Sequence, residues 1–236
     1  MTQTSPAVRA FELTKHYGSR TILRRIGLEI AAGESVALRG GNGAGKTTLL
    51  RCLASITRPT RGEVWWLGRS AYGNPALRRW VGMVAHESRL YPHLTLRENL
   101  VFAGRMYGIA EPAERADQLL AEVGLAEHAR RLPTQVSRGM GQRVAVARAL
   151  VHQPPILLLD EPFSGLDAEG CAWLMHTLVT LRETGCAICF STHDEALAEQ
   201  LADRVWELRC GRLYELSTAR QWGKRRVRER ELAPAA

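Results

Sequence analysis

The chain has 236 residues, 45% of them hydrophobic and 24% charged, which suits one sizeable globular core with room for a small subdomain. No apolar run approaches the roughly 20 residues that span a bilayer, and the opening MTQTSPAVRAFEL has no stretch of the secretory-signal kind, so the expectation is a soluble chain that stays in the cytosol. The net charge of +8 admits nucleic acid, an anionic membrane surface or a polyanionic ligand, and equally a plain solvated surface; its densest cluster is KRRVRER at 224–230.

Residues 8–38 alternate loosely between Gly18, Gly27 and Gly33 and read as short strands and turns. SVALRG (35–40) is a strand closing in glycine. KTTLLRCLASI (46–56) is a helix with Leu49, Leu50, Leu53 and Ile56 on one face. GEVWWLG (62–68) and VGMVAH (81–86) are further strands. Thr95 and Glu98 have capping-box spacing, which predicts a helix to about Met106. Pro112 and Gly124 bracket the next helix. VSRGMGQR (136–143) leads into a helix over about 140–152. ILLLD (156–160) is the continuous apolar run expected of a central parallel strand. Leu174, Leu178 and Leu181 stripe the following helix, which Gly185 stops; AICFS (187–191) is another buried strand, and 204–216 a hairpin about Gly211. A β-rich start, a βα unit, a helical insertion and a βαβ unit make an α/β domain.

The five cysteines, Cys52, Cys171, Cys186, Cys189 and Cys210, are odd in number and irregularly spaced, so they form no disulfide framework. Cys186 and Cys189 lie three apart in a strand and face opposite ways, a poor arrangement for sharing a metal.

GGNGAGKTT (40–48) matches G-x-x-x-x-G-K-[ST] through Gly40, Gly45, Lys46 and Thr47, after a strand and opening a helix. Gly40, Asn42, Gly43 and Gly45 let the backbone curl its N–H groups toward phosphates, and the helix N-terminus adds partial positive charge. Lys46 reaches the β- and γ-phosphates, while Thr47, followed by Thr48, offers a hydroxyl to Mg²⁺. Asp160 ends an apolar strand, where a carboxylate can hold the Mg²⁺ shell, and Glu161 is placed to polarise water against a γ-phosphate. VSRGMGQR has the composition of a second anion site: Ser137 can cap a helix whose free N–H groups face an anion.

With these motifs in order, residues 8–216 resemble the ATP-binding cassette (ABC) ATPases. The resemblance implies a P-loop NTPase fold: a single ABC-type cassette over 1–236 with a mainly parallel core sheet, an N-terminal antiparallel β subdomain, an inserted α-helical subdomain at about 88–152 and a basic tail at 217–236. VSRGMGQR is similar to the family's signature LSGGQ. Ser137 and Gly139 match its serine and second glycine, Arg138 stands for the first glycine, Met140 for the glutamine, and Gln142 and Arg143 match the trailing QR. By that resemblance, the second grip holds ATP bound to another copy, and two cassettes pair head to tail around two ATP. Tyr17 resembles the aromatic that stacks on adenine, with a packed strand tyrosine as the alternative. Residues 164–167 resemble the D-loop that crosses the dimer interface, and His193 in STHD the switch histidine that contacts the γ-phosphate. His16, His93, His128, His152 and His176 lack such a context and read as structural or solvated.

One position departs from the family. His86 stands where the family has a glutamine near Mg²⁺; a neutral imidazole can replace it, whereas a protonated one would repel the cation. The resemblance further implies ATP hydrolysis with Glu161 and His193 as catalytic residues, and ATP and Mg²⁺ as ligands. It implies a separate transmembrane permease as partner, docked in a groove to which 87–105 contributes, and a peripheral position on the cytoplasmic face of the membrane. Within the family the wording is similar to the ATPase subunit of the bacterial haem exporter of cytochrome c maturation (CcmA-like). Multidrug- or lipid-type exporters, a non-transport ATPase acting on nucleic acid or ribosomes, and a module that has lost hydrolysis are the alternatives. Nucleic acid is disfavoured because such proteins usually carry two cassettes or a long coiled-coil insertion.

Overall fold

The computed structural model describes residues 5–216 and 230–232, so the expected basic tail at 217–236 lies outside the described residues apart from those last three. Strands β1 (Val8–Tyr17) and β2 (Arg20–Ile30) pair antiparallel, and β1 pairs on its other side with β4 (Arg61–Trp66), which carries the short β5 (Arg69–Ser70). The strands expected to be short run to 10 and 11 residues, and Gly27 sits inside one of them. Bulges explain the difference. Glu12 and Arg25 take left-handed φ values of 47° and 46°, and the register slips between Ala10 and Leu13. Each slip breaks the period-2 alternation by which a long strand is read.

The second sheet has the order β11 (Arg230–Glu231), β10 (Arg212–Leu216), β9 (Arg204–Arg209), β3 (Ser35–Arg39), β8 (Ala187–Ser191), β7 (Ile156–Leu159), β6 (Val81–Val84). From β9 to β6 all neighbours are parallel, and β10 and β11 add antiparallel. Successive side chains of the central strands enter two cores. Val36, Leu38, Ile156 and Leu158 pack against helix α1 (Lys46–Leu53) and the antiparallel sheet, including Leu13 and Trp66. Ala37, Leu157, Leu159, Ile188 and Phe190 pack against α4 (Arg138–Leu150), α5 (Ala168–Glu183) and α6 (Glu195–Leu201). Burial on both faces is why these strands read as unbroken apolar runs. Each fully buried leucine or isoleucine contributes about 1.5–3 kcal/mol. Cys189 enters the first core and Cys186 the second, and burial pushes both thiols up to about 12.

Helix α1 is shorter than expected. Ala54 caps it, Ser55 turns the chain with φ 52°, and Ile56 emerges 57% exposed instead of joining the leucine face. Helices α2 (Leu96–Met106) and α3 (Pro112–Glu122) pack with α4 around a separate core that includes Leu100, Leu119, Leu120 and Val144. The capping box forms as spaced: Thr95 Oγ1 accepts from Glu98 N at 3.1 Å, and Thr95 N donates to Glu98 Oε2 at 2.8 Å. Among the described residues no helix is long and apolar enough to cross a membrane.

Candidate nucleotide-binding site

The loop 40–45 joins β3 to α1, and its glycines do steric work at two points. Gly40 has φ 145°, and a Cβ there would lie 2.6 Å from the Leu208 carbonyl oxygen; Gly45 has φ 108°, and a Cβ would lie 2.9 Å from Ile22 Cγ2. Both backbones take conformations that favour glycine, pressed against the neighbouring strands. Helix α1 therefore starts with no side-chain cap, which leaves its first-turn N–H groups to serve an anion.

Lys46 is 7% exposed, and its ammonium is held by three groups. Nζ donates to Gly40 O at 2.8 Å, and lies 3.1 Å from His193 Nε2 and 3.7 Å from Glu161 Oε1. His193 Nε2 is also 3.0 Å from Glu161 Oε1, but misaligned for a hydrogen bond, so that buried oxygen has no hydrogen-bond partner. One ring nitrogen thus faces both a cation and a carboxylate. As placed it can accept from Lys46; to donate to Glu161 the ring would have to turn and give up that role. Glu161 itself is held at φ 50°, a left-handed conformation unusual for glutamate.

Beside this trio, Thr47 Oγ1 donates to Asp160 Oδ2 at 2.6 Å. Asp160 is 1% exposed at the end of β7, where its N–H donates to Val84 O at 2.9 Å. Sequence reasoning missed Ser191, the last residue of β8. Its Oγ donates to Asp160 Oδ1 at 2.8 Å and accepts from Glu161 N at 2.8 Å, holding the Asp160 carboxylate and the Glu161 backbone with one hydroxyl. A serine closing a buried strand just ahead of His193 was the available signal. Thr47, Asp160 and His86 line one cavity of about 420 Å³, with His86 exposed at its wall. Carboxylate and hydroxyl oxygens are the donors a hard divalent cation takes, so this corner fits Mg²⁺.

Two further cavities lie nearby, of which the first adjoins the loop 40–45 and the second the end of α1. One of about 300 Å³ is lined by Arg20, Thr21, Ile22, Asn42, Gly43 and Cys210. Tyr17 is 51% exposed at the end of β1, with Lys15 Nζ 5.0 Å from its ring centroid, and is not among that lining. The other is a groove of about 960 Å³ between Ile56, Arg78, Arg79, Tyr91, Phe102 and Met106. Met106, Ile56, Tyr91 and Phe102 are large apolar side chains left exposed there. Asn99, also missed from sequence, is fully buried in α2 and pins the rim: Oδ1 accepts from Tyr91 N at 2.8 Å, and Nδ2 donates to Leu94 O at 3.0 Å.

The second grip forms as a capped helix end. Ser137 is exposed at the N-cap of α4, and its Oγ accepts from Met140 N at 3.2 Å. The helix begins at Arg138, two residues earlier than expected. Among the described residues, Ser137 and Gly139 make no hydrogen bond to the 40–48 loop. Their neighbourhood is the segment 162–170, through Gly139 beside Gly165, Gln142 beside Pro162, and buried Arg143 paired with Asp167. Asp167 caps α5 by accepting from Gly170 N at 2.9 Å, and that bond together with Arg143 holds its carboxyl below the usual range.

A family model described as "ABC transporter" matches residues 23–164. The spermidine/putrescine import ATP-binding protein PotA of Pseudomonas aeruginosa is 38% identical over 90% of this chain and 60% of its own length. The chain therefore spans about 60% of that relative. The aliphatic sulfonates import ATP-binding protein SsuB 1 of Xanthomonas axonopodis is 44% identical over 81% of this chain and 76% of its own. Among solved structures, the ATP-binding cassette MJ0796, a dimer in a post-hydrolysis state bound to ADP and Pi, superposes with a TM-score of 0.82 at 30% identity, covering 97% of this chain and 100% of that one. Both named relatives are import proteins, and neither supports the expected likeness to a haem exporter.

Proposed function

Because the chain belongs to the ABC transporter family, we propose that it is the ATP-hydrolysing subunit of a transporter whose membrane-spanning parts are separate proteins. The convergence of Lys46, Glu161 and His193 within 3.7 Å carries this reading, beside a Thr47–Asp160 pair only 2.6 Å apart. ATP enters with its phosphates on the free N–H groups of α1 and on Lys46, whose donors exchange Gly40 O for phosphate oxygens. Thr47 and Asp160 would hold Mg²⁺, which when bound supplies positive charge against the β- and γ-phosphate oxygens. Glu161 Oε1, buried and without a hydrogen-bond partner, accepts a proton from water as the water attacks the γ-phosphorus and the bond to ADP breaks. His193 positions that water and the γ-phosphate. Ser137 and Gly139 of a second copy complete the γ-phosphate site. That reading is supported by Ser137 being exposed and by the dimeric state of MJ0796.

The exposed apolar groove by Tyr91, Phe102 and Met106 receives the permease, which sets the chain on the cytoplasmic face of the membrane. The relatives' names favour import over haem export. Their cargoes, a polyamine and a sulfonate, differ too much in charge to pass to this chain. Glu161→Gln tests the proposal. ATP binding stays within about twofold, turnover falls by about 10²–10⁴, and closed dimer accumulates on a sizing column. Normal turnover in that variant would remove Glu161 from the reaction.

A further inference from the structure

We infer that Arg138 is a positioning residue that clasps the exposed tip of the signature helix to the loop following Glu161, so that the two move as one unit. The backbones already meet: a Cβ on Gly139 would lie 2.7 Å from Gly165 O. Deeper along α4, Gln142 Nε2 reaches Pro162 O at 3.5 Å and Arg143 pairs with Asp167, so the helix body is anchored there. The tip is anchored differently. Arg138 stands at the first helical position beside the Ser137 cap, where its charge could extend into solvent toward an anion. It folds back instead. Its Cδ and Nε lie 3.2 Å from where a Gly165 Cβ would be, and Nη2 donates to Ser164 Oγ at 3.3 Å. Gly165, at φ 78°, presents bare backbone to the stem, which an added Cβ would crowd.

The consequence is a link between two phosphate sites. Residues 164–165 follow Glu161 in the chain, and Ser164 N donates to Glu161 O at 3.1 Å. A shift of Glu161 on one nucleotide is thereby carried through Ser164 and Arg138 to Ser137 and Gly139, which serve the other. A guanidinium suits this task because its planar fork and long stem combine packing with a directed hydrogen bond.

The test is amide hydrogen exchange on the full nucleotide-free chain, which does not depend on hydrolysis. Arg138→Ala speeds exchange about fivefold or more in both 138–141 and 163–167. Ser164→Ala has a similar effect, and the double variant is no faster than the faster single, because both remove one interaction. Arg138→Lys recovers part of the protection. If Arg138→Ala loosens 138–141 and leaves 163–167 unchanged, or if the two single effects multiply, the clasp is wrong. A second arm rests on the ATPase reading: Arg138→Ala lowers kcat about three- to tenfold with KM for ATP within twofold. A raised KM at unchanged kcat would make Arg138 a nucleotide contact and overturn the clasp. If wild-type chain hydrolyses no ATP while the exchange pattern holds, the ATPase reading falls and the clasp stands.

Discussion

The two helix ends proposed to hold phosphate are built on opposite plans. At the start of α1 the cation is inside: Lys46 is 7% exposed and held by Gly40, His193 and Glu161, all of the same chain. At the start of α4 the polar groups face out, with Ser137 exposed and its neighbours tied back to 162–170. The first end is a nearly complete pocket that needs only its ligand. The second is an exposed, capped helix end, which the proposed reading leaves to be completed by another copy. On the proposed reading, preorganisation inside one chain supports tight nucleotide binding, and exposure of the other half makes reaction depend on encounter between copies.

Substitutions at the two ends should therefore fail in different ways. Lys46→Ala removes the buried cation, and steady-state turnover should fall by at least about a hundredfold, with weakened ATP binding in a fluorescent-nucleotide titration. Ser137→Arg should leave ATP binding to the single chain within about twofold while sedimentation shows no ATP-dependent dimer and turnover falls about tenfold or more. Loss of binding to the single chain in that variant would mean that both ends act in cis and would erase the contrast. A smaller effect is expected at the wall of the cavity beside Thr47 and Asp160: His86→Ala should raise the Mg²⁺ concentration for half-maximal turnover about tenfold. Unchanged metal dependence would leave His86 a plain surface residue.

The smallest effect concerns the seam between the helical core and the main sheet. His152 stacks on Tyr107 with ring centroids 3.7 Å apart, and neither ring nitrogen has a hydrogen-bond partner. Burial pushes its pKa down from 6.5 to about 4, with a weaker opposing interaction from the Val81 backbone. The unfolded chain then binds more protons than the folded one between those values, so stability is full above about 6.5 and declines as pH falls toward 4. The ring is partly exposed, so the loss should be about 1–2 kcal/mol. Urea midpoints for wild type and His152→Phe should lie closest above pH 6.5 and diverge as pH falls toward 4, wild type losing stability and the variant not, if this site carries the effect.

Local chemistry made several features legible in advance. The curled loop 40–45, the Thr95–Glu98 capping box, the cap at Ser137 and the double-sided burial of 156–159 are each written within a few consecutive residues. They survive folding because they follow from short-range sterics and hydrogen bonding. Where local reading failed, a distant partner had intervened. The bulges at Glu12 and Arg25 exist because β1 must match the register of its neighbours. Ile56 left the leucine face because the chain turns at Ser55 toward the groove.

The residue types needed for phosphate chemistry, and the loop that presents them, were thus determined by sequence alone. Only tertiary structure decided which of them meet. Thr47 and Asp160 are 113 positions apart, Lys46 and His193 are 147, and β3 lies between β9 and β8, its neighbours in space but not in the chain. No local pattern encodes such pairings. They arise when parallel strands, each buried on both faces, bring their carboxyl ends to one edge of a sheet, and there Ser191 sets Asp160 and Glu161 with a single hydroxyl.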